Sequence, residues 1–319
     1  MIDTMFQPPE LEHAEPAGEG AQAASEAFNA GETIIGHVAN SPIDHPLIHL
    51  PPVFGIDMSV TKHVLMLWLV AATLFLLVTI TVRRYLRQDR LVPSGFMNAL
   101  EYVVLFVRDS IVEPNVGRKW VNTWTPLLLT LGLFILLANL VGLIPIFDLI
   151  ALVNHTVLHM PEDSFLTQVT HGGVTATGNY NVTAALATVS FFAIIAAGVK
   201  AHGFVTHWKN MVPHGLPLPV TLFLIPIEIM GMFVRPFALT MRLAANMSGG
   251  HIAILAIMSF VFIFSGLYGA VAGIGIGIFV SLPLAVGISA LEIIVIGVQA
   301  YVFTLLTAVF IGMAIHAHH

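Results

Sequence analysis

Between residues 210 and 319 the chain carries four full charges, Glu228, Arg235, Arg242 and Glu292. The first three are seven residues apart, and seven residues fall ~20° short of two helical turns. On a helix they share one face, which Asn246 extends at i+4 from Arg242. Glu292 and Gln299 are likewise seven apart. His251 follows Arg242 by nine residues, about half a turn away on an ideal helix. It points elsewhere unless Gly249 and Gly250 deform the chain.

These residue types divide the labour of charge. A guanidinium keeps its proton under all ordinary conditions, whereas histidine titrates near neutral pH and a carboxylate can take up a proton when buried. Two readings are open. Glu228 and Arg235 could form a structural ion pair while Arg242 snorkels to the interface. Alternatively, the set handles ions, which is the default reading for ionisable groups inside a membrane.

The surrounding composition places these groups in a membrane. The 319 residues are 57% hydrophobic and 9% charged, with a mean hydropathy of +0.88. Soluble domains carry about 25% charged residues. Several apolar runs are long enough to span a bilayer as helices, and they lack the alternation of a membrane β-barrel. The fold class is therefore all-α multi-pass membrane protein, with about five membrane helices and one amphipathic surface helix. Cysteine is absent, which excludes disulfides and thiolate chemistry.

Charge along the chain sets the topology. Residues 1–62 hold nine acidic residues and one basic residue, Lys62, and read as a flexible extracytoplasmic arm. No conventional signal peptide is evident in the first residues. A first span, 63–82, ends in RRYLRQDR, which the positive-inside rule assigns to the cytoplasm. Residues 95–115 read as an amphipathic surface helix. Further spans are expected at 126–147 and 182–199, separated by an extracytoplasmic loop without Lys or Arg. The membrane domain runs over 63–315, and 316–319 form a cytoplasmic tail.

Residues 216–266 show no clear loop. As one helix they would extend about 75 Å, against a hydrocarbon core of ~30 Å. They form either two spans turning near Ser248-Gly249-Gly250 or one steeply tilted helix, bent in either case by Pro226 and Pro236. A Gly-rich bend at 265–277 leads to a last helix, 278–315.

Weaker signals carry less. Fifteen histidines invite a metal site, but His155 and His159 lie in a loop without a thiolate or carboxylate set. Gly269, Gly273 and Gly277 have the spacing of close helix packing, without the Lys and Ser/Thr of a phosphate loop. Asn181 opens a nominal glycosylation sequon at the start of a span. No cofactor, metal or nucleic-acid partner is expected.

Four blocks together carry a resemblance: MRLAANMSGGH, PLLLTLGLFILLANLVGLIPIF, NVTAALA and LEIIVIGVQAYVFTLLTAVFIGMA. In order and spacing they resemble subunit a of the rotary ATP synthases, from about residue 60 to the end. The resemblance implies a stator channel with two offset half-channels, whose two long tilted helices form a hairpin curving round a rotating c-ring. It favours the single tilted helix over 216–266. It implies that Arg242 faces the ring carboxylates and that Asn246, His251, Glu292 and Gln299 line the proton path. Glu228 and Arg235 match supporting polar positions. Many bacterial members carry the His251 and Glu292 types in the reverse order. For Asn139, Gly142 and Pro145, packing and helix ending stand beside channel lining. The implied partners are the c-ring, the subunit b stalk, the rest of the complex and the lipid of a bacterial inner membrane. The alternative from another class is a proton- or ion-coupled secondary transporter, although no internal repeat supports it.

Overall fold

The computed structural model describes residues 59–87, 92–143, 154, 176–209 and 217–316. The N-terminal arm up to residue 58, the metal-reading pair His155 and His159, Pro145, and residues 317–319 of the tail lie outside this set.

Every regular element among the described residues is helical. Helix α1 (Lys62–Leu86) ends with Arg83 and Arg84 in its last turn, where cations oppose the negative end of the helix dipole. Helix α2 (Phe96–Leu105) continues through a π segment (Phe106–Val112) into α3 (Glu113–Val116). One stripe of this run is buried, at Leu100, Val107, Ile111, Val112 and Val116. Residues 95–115 are thus amphipathic, but the extra residue per turn of the π segment re-aims the stripe midway.

Helix α4 (Val121–Leu143) starts five residues before the expected 126. Pro126 sits inside it rather than opening it. Helix α5 (Tyr180–His202) is capped by the Asn179 side chain, which accepts from the Asn181 amide at 2.8 Å. At its far end Gly203, with φ of 83°, turns the chain into the short α6 (Phe204–Lys209). There the His207 ring occupies the space that a side chain at Gly198 would need.

Helix α7 (Leu218–Tyr268) is unbroken over 51 residues. It spans about 75 Å, more than twice the ~30 Å hydrocarbon core, so within a bilayer it must run far from the normal. Ser248-Gly249-Gly250 do not turn the chain. The reversal falls at Gly269, whose φ of 87° is open to glycine. The expected bend over 265–277 therefore contracts to one residue. Helicity resumes at once in α8 (Ala270–Ile276), passes through a π turn (Gly277–Ser281) and continues as α9 (Leu282–Ile315).

Gly273 and Gly277 of that stretch serve packing, whereas Gly266 and Gly275 have open space beside them. A Cβ at Gly273 would stand 2.8 Å from the Val261 carbonyl oxygen and 2.9 Å from the Ser265 Cα. Farther along, the Ser281 hydroxyl donates to the Ile257 carbonyl at 2.9 Å. Helices α7 and α8–α9 form a closely zipped antiparallel hairpin, its backbones brought together by small residues as in other membrane helix pairs.

Helix α9 is the hub. Ala308, Ile311 and Ile315 pack with Leu128, Ile194, Ala197, Ile111 and Val116, joining α4, α5 and the surface helix. Nearer the hairpin, Ala300 and Phe303 pack with Ile135, Ala187, Leu239 and Leu243. Among the described residues, five helical stretches are long and apolar enough to cross a membrane: His63–Leu86, Val121–Leu143, Tyr180–His202, Pro219–Tyr268 and Ala270–Ile315. The chain is a multi-pass α-helical membrane protein.

Candidate ion-translocation site

The hairpin brings the two chemistry-bearing segments into register. Asn246 Nδ2 donates to Gln299 Oε1 at 2.7 Å, and Gln299 Nε2 donates to the backbone carbonyl oxygen of Arg242 at 2.8 Å. Gln299 is buried, 5% exposed. Its carboxamide therefore ties both ends of one turn of α7 to α9.

Two turns farther along both helices, His251 Nδ1 lies 3.4 Å from Glu292 Oε1. Glu292 is only 3% exposed, and a buried carboxylate is tolerated where a proton or a counter-charge is at hand. The close approach depends on Gly250, because a Cβ there would stand 2.7 Å from Glu292 Oε1. On the continuous α7 helix, His251 lies on the side opposite Arg242, as the nine-residue spacing requires. Gly249 and Gly250 do not deform the helix; Gly250 makes room for Glu292.

Arg235 and Glu228 meet at 3.6 Å, half-exposed. The Arg235 guanidinium also stands 5.3 Å from the centroid of the Phe310 ring, a cation–π arrangement. The Glu228–Arg235 ion pair that one reading of these charges expects is thus formed. Arg242 differs. Its side chain is exposed, amid the exposed Met241, Ala245 and Asn246, and among the described residues no carboxylate lies within ion-pair distance of it.

Residues 64–312 match the family described as ATP synthase A chain. A relative from Chlorobium luteolum, named ATP synthase subunit a 2, is 40% identical over 98% of this chain and 81% of its own length. Another with that name, from Prosthecochloris aestuarii, is 36% identical over 96% of this chain and 85% of its own. One from Anaeromyxobacter dehalogenans, named ATP synthase subunit a, is 36% identical over 97% and 75% respectively. The chain belongs to the ATP synthase A chain family.

Membership in the A-chain family does not favour the secondary-transporter alternative. Polar groups outside the expected translocation set also meet here. The Ser248 hydroxyl donates to the Gly178 carbonyl at 3.2 Å, joining α7 to the 3₁₀ turn Ala176–Gly178 before α5. The Thr177 hydroxyl in that turn donates to the carboxamide oxygen of Asn139, which is fully buried in α4. Asn139, the Thr177 turn and Ser248 thus form a second polar link between α4, the 3₁₀ turn and α7, meeting α7 about one turn before His251. A lone amide within LLANLVGL was a visible signal for Asn139; nothing comparable marked Thr177.

Proposed function

We propose that the chain is the stator channel of a proton-translocating ATP synthase, carrying protons through two offset half-channels to and from the carboxylates of a rotating c-ring. The observation that carries this reading is Arg242. A guanidinium on an exposed, largely apolar helix face, with no carboxylate beside it among the described residues, calls for a carboxylate from another subunit. A charge facing lipid would cost ~2.5–3.5 kcal/mol or more.

The physics fits a moving acid. A protonated carboxyl crosses lipid readily, while an ionised one in an apolar medium is strongly disfavoured. A fixed cation beside it favours release of the proton. Arginine supplies that cation without becoming a proton carrier, since it does not deprotonate. The Gln299–Asn246 bridge holds the turn from which the guanidinium projects.

Two polar pairs flank Arg242 in opposite directions along α7. His251, paired with Glu292, is nine residues onward, ~13 Å along the axis. Arg235, paired with Glu228, is seven residues back, ~10 Å along the axis. We assign the first pair to the extracytoplasmic half-channel, where imidazole and carboxylate exchange a proton, and the second to the cytoplasmic half-channel. The end of the bundle bearing Arg83, Arg84, Lys119 and Lys200 is cytoplasmic by the positive-inside rule. On this reading the N-terminus lies outside and the C-terminus on the cytoplasmic side of a bacterial inner membrane. The chain makes no covalent chemistry of its own; the c-ring, the subunit b stalk and the rest of the complex are its partners.

The deciding measurement is ATP-driven acidification of inverted membrane vesicles carrying Arg242→Ala or Arg242→Lys. Both variants should assemble and fail to pump. Coupled pumping at wild-type rate by an assembled Arg242→Lys complex would sink the reading.

A further inference from the structure

Trp120 gathers two cations that the translocation path does not use. The Lys119 ammonium stands 5.4 Å from the centroid of its indole and the Lys200 ammonium 5.6 Å. The two lysines come from separate elements, one just before α4 and one in the last turn of α5. Indole attracts each cation through its quadrupole, but two like charges on one ring also repel. Neither lysine has an acidic partner among the described residues. The nearby carboxylate, Glu113, is engaged by Arg118 at 2.8 Å.

We propose that Lys119, Trp120 and Lys200 form a binding site for the phosphate of an anionic phospholipid. The level of the site selects a lipid over a soluble anion. Trp120 directly precedes an apolar span, and Lys200 closes another; tryptophan favours this headgroup depth. Beyond Lys200, the exposed Phe204, Val205 and Trp208 of α6 present an apolar surface at the same end of the bundle. The rings of Phe204 and Trp208 pack edge to face at 6.4 Å, and His207, set against Gly198, holds α6 to α5. An acyl chain beside these groups and a phosphodiester between the ammonium groups would satisfy both halves of the surface. Basic sites between membrane helices on the cytoplasmic side bind phospholipid headgroups in this manner.

The test uses the intact complex in phosphatidylcholine vesicles doped with a photoactivatable phosphatidylglycerol, with mass-spectrometric reading of label on the peptide around Trp120. Each lysine near a membrane surface contributes about fivefold to anionic lipid affinity, so Lys119→Gln/Lys200→Gln should cut labelling at least fivefold and Lys119→Arg/Lys200→Arg should retain it. In the wild-type complex, which needs no variant to assemble, unlabelled phosphatidylglycerol should compete while phosphatidylcholine and inorganic phosphate should not. Equal competition by phosphatidylcholine would reduce the site to ordinary lipid contact. Equal competition by inorganic phosphate would make it a soluble-anion site. Unchanged labelling in an assembled double-Gln variant would remove the lysines from it. Each of these three results overturns the proposal.

Discussion

Gln299 holds Arg242 by its backbone: the Gln299 amide donates to the Arg242 carbonyl oxygen at 2.8 Å, leaving the guanidinium outside the bond. The same carboxamide accepts from Asn246 at 2.7 Å. Gln299 is thus a positioning residue for the turn that projects the arginine. Losing one buried hydrogen bond costs about 1 kcal/mol, and the two bonds act on one turn. Gln299→Leu should therefore lower ATP-driven proton pumping by roughly tenfold while preserving assembly. Gln299→Glu, which keeps the acceptor for Asn246, should be milder if its acid is protonated. A pumping rate in assembled Gln299→Leu equal to wild type would disprove the positioning role.

Gly250 and Gly273 separate function from fold on the same hairpin. A Cβ at Gly250 would press on the Glu292 carboxylate, 2.7 Å from Oε1, the free end of a flexible side chain that can swing aside. Gly250→Ala should leave assembly intact and cut passive proton flux through reconstituted membrane sectors severalfold, in the direction of the larger loss expected for Glu292→Leu. A Cβ at Gly273 would press instead on backbone, 2.8 Å from the Val261 carbonyl oxygen. Gly273→Ala should reduce the amount of assembled complex, because the two helices must part. Normal flux per assembled Gly250→Ala complex would argue against the His251–Glu292 relay.

What could be read in the sequence followed from periodicity and from the cost of charge in lipid. The seven-residue spacing of Glu228, Arg235 and Arg242, and the nine-residue offset of His251, are rotations on a continuous helix, so they transferred directly to α7. The span ends were less legible. The second span is expected from 126, where the apolar run starts, yet α4 begins at Val121, because positions 121–125 carry polar residues that a helix accommodates without changing the hydropathy pattern. The bend of the hairpin was read over thirteen residues because glycines with positive φ and glycines with close neighbours have the same letter; only Gly269 is of the first kind there. Which partner Gln299 chooses, a carbonyl on the facing helix, depends on the relative rotation of two helices. No spacing within either helix encodes it.

His207 gives the basic end of the bundle a pH dependence of its own. Burial, and then the neighbouring His202, hold the His207 imidazole below its ordinary 6.5. The docked α6 therefore favours neutral His207, and the undocked segment binds more protons. That contribution is complete above the ordinary value and is lost as pH falls through it towards the lower value of the docked state. Amide exchange of residues 204–209, corrected for intrinsic rates, should lose protection between about pH 7.5 and about pH 5.5. In His207→Phe, which retains a ring against Gly198, the protection should be flat over that range. Protection in the wild type that rises on acidification would reverse the sign and refute the account.

Glu228 and Arg235 allow the two readings of their charges to be parted. Their oxygen and nitrogen stand 3.6 Å apart, and Arg235 also rests on Phe310. Removing either partner strands the other in an apolar stretch, where a lone charge costs ~2.5–3.5 kcal/mol or more if it faces lipid. Each single change, Glu228→Leu or Arg235→Leu, should therefore lower assembly. The double variant removes both charges and should assemble better than either single, since an ion pair taken out of water adds little net stability over apolar residues of similar size. If the pair also serves the cytoplasmic half-channel, restored assembly should not restore pumping, because among the described residues of α7 no charged group then remains on that side of Arg242. Pumping that returns in step with assembly would make the pair structural only and would leave the half-channel to other residues.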